Sequence, residues 1–453
     1  MVIENTTIPD LTIVGGGFAG LAAALRLQKA GVKIRLVEKR PFFGGRAYSF
    51  KDSKSGEWVD NGQHLLMGAY RETLDFLREL GTLDSLDIQS KLRVTMISPG
   101  AAHTLDCPKL PAPFHLAAAL FKMKGLGFKD KLRMLGLVRA CQSSESSADL
   151  DGVSVAEFLS QHGQTEAATR ILWEPITLAT LNEPLSQASA RLFKEVLKLS
   201  LLSSNTFDSR MILPKLSFQE LYIEPAQKYL QERGVSILFQ KQLMAIEKNP
   251  GYFVLHLNNG ESIKSKKVLL AMPPDALKKV LQVSGDALNH YPQLDCFQSS
   301  PIISINLWFE KPLEKSRGFI DEKFVGLINS PIHWIFDKSL MSGSQTPYLS
   351  MVISGAYDLA RASKEQLLEL ALKELRVFYP YFKEMRTTHS QVIKEYNATY
   401  SGRLGLDRYR PAVTSAVEGL YLAGDWIHTE LPATIESAVR SGNRAAEAIL
   451  EQA

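Results

Sequence analysis

Apolar positions arrive along this chain in two rhythms. Near the start Leu11, Ile13 and Val14 have the β-branched bias of a buried strand, and from Phe18 to Ala30 the spacing turns helical. Gly31 then reads as a helix C-cap and Val32 to Val37 as a second strand, closing a strand–helix–strand unit on Glu38. Leu74, Phe76, Leu77 and Leu80 predict an amphipathic helix between Tyr70 and Leu80, with short strands at Leu92 to Met96 and Ala102 to Leu105. Ser217 to Arg233 reads as a helix stopping before Gly234, followed by a strand from Val235 to Phe239. A hairpin that includes Tyr252 to Leu257 and Asn258 to Gly260 comes next, then an apolar strand from Lys267 to Ala271. Period-two alternation returns in Ile302 to Phe309. With strands at Ile332 to Phe336, Tyr348 to Ser354 and Gln391 to Tyr396, and a helix at Lys364 to Tyr379, it predicts an antiparallel sheet. One face would meet an apolar ligand and the other would carry helices. A last buried strand, Gly419 to Gly424, precedes a helix running from Ala433 to Leu450.

The turn between the first strand and its helix adds chemistry to this pattern. Gly15, Gly17 and Gly20 stand in G-x-G-x-x-G spacing: a tight turn, a close backbone approach to a pyrophosphate, and close helix–strand packing. The helix N-terminus at Phe18 and Ala19 aims unpaired N–H groups at phosphate. Glu38, with Lys39 beside it, stands near the roughly 20-residue offset at which a carboxylate accepts ribose hydroxyls. Gly44 and Gly45 permit another close approach, and Arg46 adds a fixed donor fork, which together suit a dinucleotide pyrophosphate. The glycines by themselves do not choose among NAD, NADP and FAD.

Composition narrows the class without naming a ligand. The 453 residues are 45% hydrophobic and 22% charged, an ordinary soluble globular profile. Lys and Arg number 52 against 48 Asp and Glu, so a net charge of +4 gives no argument for nucleic acid. Cys107, Cys141 and Cys296 are too widely spaced for a metal or redox motif, so no metal is expected and a reduced, cytoplasmic setting is. The N-terminus lacks a leader pattern, and no apolar run nears the ~18 residues of a membrane span. Ser143 to Ser147 reads as a local loop. Between Pro111 and Arg139, Phe114, Leu120, Phe121, Phe128 and Leu135 interleave with Lys122, Lys124, Lys129, Lys131 and Arg133, with Asp130 the sole acid. Such a basic amphipathic helix pair suits either a peripheral seat on an anionic inner membrane surface or a lid on the substrate domain.

The stretches V-G-G-G-F-A-G, V-E-K-R and G-G-R-A-Y-S-F resemble the FAD-binding half of the amine oxidase and phytoene desaturase superfamily. W-V-D-N-G-Q-H-L-L-M-G-A-Y-R-E (58–72), L-W-E-P-I-T-L-A-T-L-N (172–182), I-H-W-I-F-D (332–337), L-A-G-D-W and L-P-A-T-I-E-S-A-V-R-S-G (422–442) resemble one branch, the squalene-associated desaturases or hydroxysqualene dehydroxylases of hopanoid biosynthesis. The resemblance implies an α/β fold: a discontinuous Rossmann-like FAD domain with an inserted α+β substrate domain of mixed antiparallel sheet and helices. The FAD domain would take residues 1–90, 211–290 and 401–453, and the substrate domain residues 91–210, its helical part, and 291–400, its sheet part.

Residue by residue, the resemblance sets Gly62, Gln63 and His64 beside the isoalloxazine and Leu243 at the adenine. It sets Gly424 and Asp425 on the ribitol, and Ala433, Thr434 and Ile435 at the flavin N1 and C2 carbonyl, where a helix N-terminus favours the reduced anion. Trp173, Pro175 and Leu178 would line a long apolar cavity. No cysteine lies in the C-terminal segment, so FAD is expected to be non-covalent. Ser437 departs from the glycine of an E-G-A triplet and would narrow the approach to the ring. His64, with an ordinary pKa of ~6.5, would protonate a leaving hydroxyl, or else serve only as a satisfied structural histidine.

The implied activity is reductive removal of the hydroxyl of hydroxysqualene by FADH2, with an apolar polyprenyl chain as partner. The alternatives are a carotenoid-type desaturase, an amine oxidase with an aromatic cage at Trp426 or Tyr400, and a non-catalytic prenyl-lipid-binding protein.

Overall fold

The computed structural model describes residues 8–142, 150–285, 291–313, 322–343 and 346–452; the expected loop at Ser143 to Ser147 lies outside them. At its centre is a five-stranded parallel sheet in the order Ser236–Leu238, Ile34–Val37, Leu11–Val14, Lys267–Leu270, Leu420–Leu422. Each strand is short and buried, as a sheet covered on both faces requires. On one face the helices Phe18–Lys29 and Ile435–Glu451 cross so closely that a Cβ on Gly442 would overlap the Ala19 carbonyl. On the other face Val14, Val37, Leu270 and Leu422 meet the three-stranded meander 243–265 and the helix Pro274–Val283. The second strand starts at Ile34 rather than Val32, because the Val32 N–H closes the preceding turn on Leu27 O (3.1 Å).

The inserted part is built on a seven-stranded sheet in the order Thr387–Tyr400, Ser299–Phe309, Tyr348–Ile353, Trp334–Asp337, Phe324–Leu327, Arg93–Ser98, Ala101–Asp106. Neighbours run antiparallel except at Phe324–Leu327 against Arg93–Ser98. The helix Lys364–Phe378 covers one face, with Leu367, Ala371 and Leu375 packed on Ile303, Ile305 and Leu307.

The segment from Pro111 to Arg139 forms two helices, Phe114–Lys122 and Phe128–Gln142, parted at Met123 to Gly127, where Gly125 takes a φ of 88°. Leu116, Leu120, Met134 and Leu137 face inward. Phe114 (64% exposed), Phe121 (41%), Phe128 (66%) and Leu132 (48%) face out. Among the described residues no helix is long and apolar enough to cross a membrane.

Candidate active site

Backbone builds the nucleotide end. A Cβ on Gly15 would overlap the Ala271 carbonyl and one on Gly20 the Gly15 carbonyl, so this turn has room only for glycine at both places. The second glycine pair lies directly against the first: a Cβ on Gly45 would sit 3.0 Å from Gly17 Cα, and Gly44 N–H donates to Gly16 O at 2.8 Å. Helix Phe18–Lys29 has no side-chain cap at Gly17 and no acid in its first turn, which leaves its first N–H groups to a phosphate. The Phe18 ring stacks on Tyr222 (centroids 4.0 Å apart) and Ala19 lies under Gly442, so of these two the backbone N–H groups are what a ligand meets.

The buried Glu38 carboxylate accepts from Gly16 N (2.7 Å) and Arg40 N (2.9 Å), which fixes it at the end of its strand. Two residues with no motif spacing hold the second turn. Arg40 donates to Gly45 O at 2.8 Å and lies over the Tyr48 ring, and the Tyr222 hydroxyl donates to Gly44 O (3.0 Å) and Ala47 O. Lys39 points into solvent. Leu243 is buried at the head of its strand, beside a bulge.

Arg46 and Asp425, 379 residues apart in sequence, form an ion pair across the cradle. The fully buried Arg410 holds the turn after Asp425, donating to the carbonyls of Asp425 (3.0 Å), Trp426 (3.3 Å) and Leu431 (2.7 Å) and to Asp407 (2.9 Å). Gly424 has φ 145°, and a Cβ there would lie 2.7 Å from the Trp426 indole. The C-terminal helix begins at Ile435 rather than Ala433 because Thr434 takes the N-cap, its side chain accepting from Ser437 N (3.1 Å). Ala433, Thr434 and Ile435 are half-buried there. The Ser437 hydroxyl turns inward to Thr429 (2.5 Å) and Asp425 O (3.0 Å), and so braces the Asp425 turn. Trp426 is fully buried, its N–H on Met272 O (2.9 Å), and Tyr400 is 2% exposed; both pack edge-on against Phe297.

The third segment is Asp60 to His64. Asp60 ends a strand and accepts from Ser49 Oγ (2.6 Å) and Phe218 N (3.1 Å). Asn61 accepts from Tyr48 N (3.0 Å) and donates to Arg46 O (3.0 Å), so it ties this turn to the cradle. Gly62, Gln63 and His64 are half-buried. Lys338 donates to Gln63 Oε1 at 2.7 Å and lies 3.6 Å from Asp60. His64 packs on Phe218 (4.7 Å) and its Nδ1 has no partner among the described residues. Burial first, and the Lys338 charge as well, hold the imidazole below its usual range against the opposing pull of Asp60 and the Gly62 backbone. Both effects disfavour the charged form of the imidazole.

Lys338 belongs to no motif; it opens the short helix Lys338–Ser342 directly after strand Trp334–Asp337. Leu105, Leu116, Leu120, Leu172, Trp173 and Leu197 line an apolar void of about 20 Å³, and Pro175 and Leu178 are not on its wall.

A parallel sheet with apposed glycine turns, a buried strand-end carboxylate and an arginine–aspartate pair across them fits FAD and defines an FAD-dependent oxidoreductase. The chain belongs to the flavin containing amine oxidoreductases, whose family model matches residues 18–450. It is 26% identical over 447 residues to a hydroxysqualene dehydroxylase of Zymomonas mobilis subsp. mobilis, covering 97% of this chain and 98% of that one. It is likewise 26% identical over 463 residues to a 15-cis-phytoene desaturase of Synechococcus elongatus, covering 97% and 95%. Among solved structures, a putrescine oxidase variant superimposes with TM-score 0.75 at 19% identity, covering 98% of this chain and 99% of that one. A putative protoporphyrinogen oxidase of an Exiguobacterium species does so with TM-score 0.72 at 17% identity, covering 99% and 100%. These two show the shared fold.

Proposed function

We propose that this oxidoreductase acts on a long isoprenoid and converts hydroxysqualene to squalene. The full-length similarity to the Zymomonas hydroxysqualene dehydroxylase carries the reading.

Bound FAD, once reduced, supplies hydride. The chain's own residues do the rest. Arg46 and the N–H groups after Gly17 bind the pyrophosphate, Glu38 the ribose, Asp425 the ribitol, and Leu243 the adenine. Ala433 to Ile435, at the start of the C-terminal helix, and Gly62 to His64 would hold the isoalloxazine.

The outer face of helices 114–122 and 128–142 seats the protein on an anionic membrane surface. Exposed Phe114, Phe121, Phe128 and Leu132 beside exposed Lys122, Lys124, Lys129 and Arg133 support this.

The test is incubation of dithionite-reduced holoenzyme with hydroxysqualene and, separately, of oxidised holoenzyme with phytoene, each read by mass spectrometry. Squalene in the first arm alone is expected. The equal similarity to the Synechococcus desaturase favours a second reading, desaturation of a carotenoid precursor. Product in the phytoene arm alone would replace the first reading with it.

A further inference from the structure

Strand Ser299–Phe309 sends alternate side chains to two unlike faces of its sheet. Ile303, Ile305, Leu307 and Phe309 enter an apolar core under helix Lys364–Phe378. On the opposite face the register sets Ser304 beside Val352 and then Trp334, Asn306 beside Ser350 and then Phe336, and Trp308 beside Tyr348. Lys338 follows Asp337 at the end of this array.

This second face is short of hydrogen-bond partners. Ser304 Oγ, Asn306 Nδ2 and His64 Nδ1 are buried without a partner among the described residues. Ser304 Oγ and His64 Cε1 both lie near the spot a Cβ on Gly62 would occupy, at 3.8 and 3.7 Å. The Lys338 ammonium, 8% exposed, has three N–H groups; Gln63 takes one at 2.7 Å and Asp60 stands 3.6 Å away. A buried polar atom left unpaired is destabilising, so several close together mark a place where a ligand completes them. A hydroxyl does so in both senses: its oxygen accepts from the ammonium and the amide, and its O–H donates to the unpartnered Nδ1 of His64.

We infer that Lys338, Asn306, Ser304 and His64 form the hydroxyl end of the substrate site and bind an isoprenoid alcohol by its oxygen. This rests on the isoprenoid-alcohol reading above. During dehydroxylation the carbon–oxygen bond breaks, the carbon gains a hydride from the reduced flavin, which is oxidised, and the oxygen leaves as water with a proton from Lys338. The lysine regains that proton from solvent.

The experiment titrates oxidised holoenzyme, which cannot turn over an alcohol reductively, with farnesol and with farnesene, following the flavin absorbance. Wild type is expected to bind farnesol about 10-fold more tightly than farnesene, one well-placed hydrogen bond. Lys338→Met and Ser304→Ala each reduce that preference by weakening farnesol binding. Lys338→Met also slows single turnover of the prereduced enzyme by about 100-fold.

Equal affinities in wild type, or a preference retained in both variants, overturn the pocket. Lys338→Met leaves Asp60 without its cation and is checked for flavin content and melting. Ser304→Ala, which removes an unpartnered hydroxyl, carries the test if the first variant does not fold. A wild type that prefers farnesol yet yields no squalene overturns dehydroxylation and leaves the pocket standing; squalene without the preference does the reverse.

Discussion

At the glycine turns the protein presents a ligand mainly with backbone, and along strand Ser299–Phe309 it presents one with side chains. The first region tolerates no added carbon, since Gly15 and Gly20 each face a carbonyl at overlap distance. The second is the reverse: a regular strand any residue could form, whose character comes from Ser304, Asn306 and the neighbouring Lys338 lying among Trp334, Phe336 and Val352. Shape is thus fixed by the chain itself at one end and chosen by composition at the other. Substitutions at the first end should abolish cofactor binding, whereas substitutions at the second should redirect what is bound.

The largest effect is expected from Gly20→Ala. Its methyl meets the Gly15 carbonyl, so the purified protein should be colourless and less stable by up to about 3 kcal/mol. A yellow protein with full flavin absorbance would break the contrast. Arg46→Ala comes next: losing a charged partner to the pyrophosphate and to Asp425 should weaken FAD binding by about 100-fold in a fluorescence titration. Lys39→Ala, at an exposed side chain, serves as the control and should change it little.

A third variant sharpens the outside of the substrate region. Phe121→Ser with Phe128→Ser alters two exposed rings, so stability should hold within about 0.5 kcal/mol. Flotation with phosphatidylglycerol vesicles should fall about 10-fold, and neither protein should float with phosphatidylcholine alone. Unchanged flotation of the variant would remove the membrane seat.

The smallest effect concerns His333, which burial pushes down to about 4 while its Nδ1 accepts from Ser354 N at 3.0 Å. The folded value lies below the unfolded ~6.5, so the unfolded chain binds more protons between them. The stability His333 contributes is complete above pH 6.5 and is lost as pH falls toward 4. Allowing for its partial exposure, this amounts to about 1 kcal/mol. Thermal melts of wild type and His333→Gln across that window should converge at the acid end.

Legibility follows the same division. The cradle was readable because close backbone approach demands glycine at fixed spacing, and a strand end demands an acid at a set distance. Arg40, Tyr222 and Arg410 hold that cradle through hydrogen bonds to carbonyls, and carbonyls carry no residue code. Lys338 stands one residue beyond the recognisable I-H-W-I-F-D, where a lysine after a strand ordinarily reads as solvated. The position of His64 in its motif could be seen, but the downward pull on its imidazole could not, because burial and the Lys338 charge come from the rest of the fold. Similarly, the 111–139 segment reads as one basic amphipathic stretch, and only its packing sorts Leu116 and Leu120 inward from Phe121 and Phe128 outward.

The order of the central sheet sets a timetable for the molecule's birth. Its edge strand, Leu420–Leu422, pairs with Lys267–Leu270 and delivers Asp425 to Arg46 across 379 residues of sequence. A ribosome releasing the polypeptide from its N-terminus therefore exposes a glycine turn whose opposite wall has yet to be synthesised. Flavin can be locked in only once residues 420–425 have emerged, and such long-range closure is intrinsically slow. Cells short of riboflavin should accordingly accumulate full-length but open protein, and its sensitivity to proteolysis would report how much had found its cofactor.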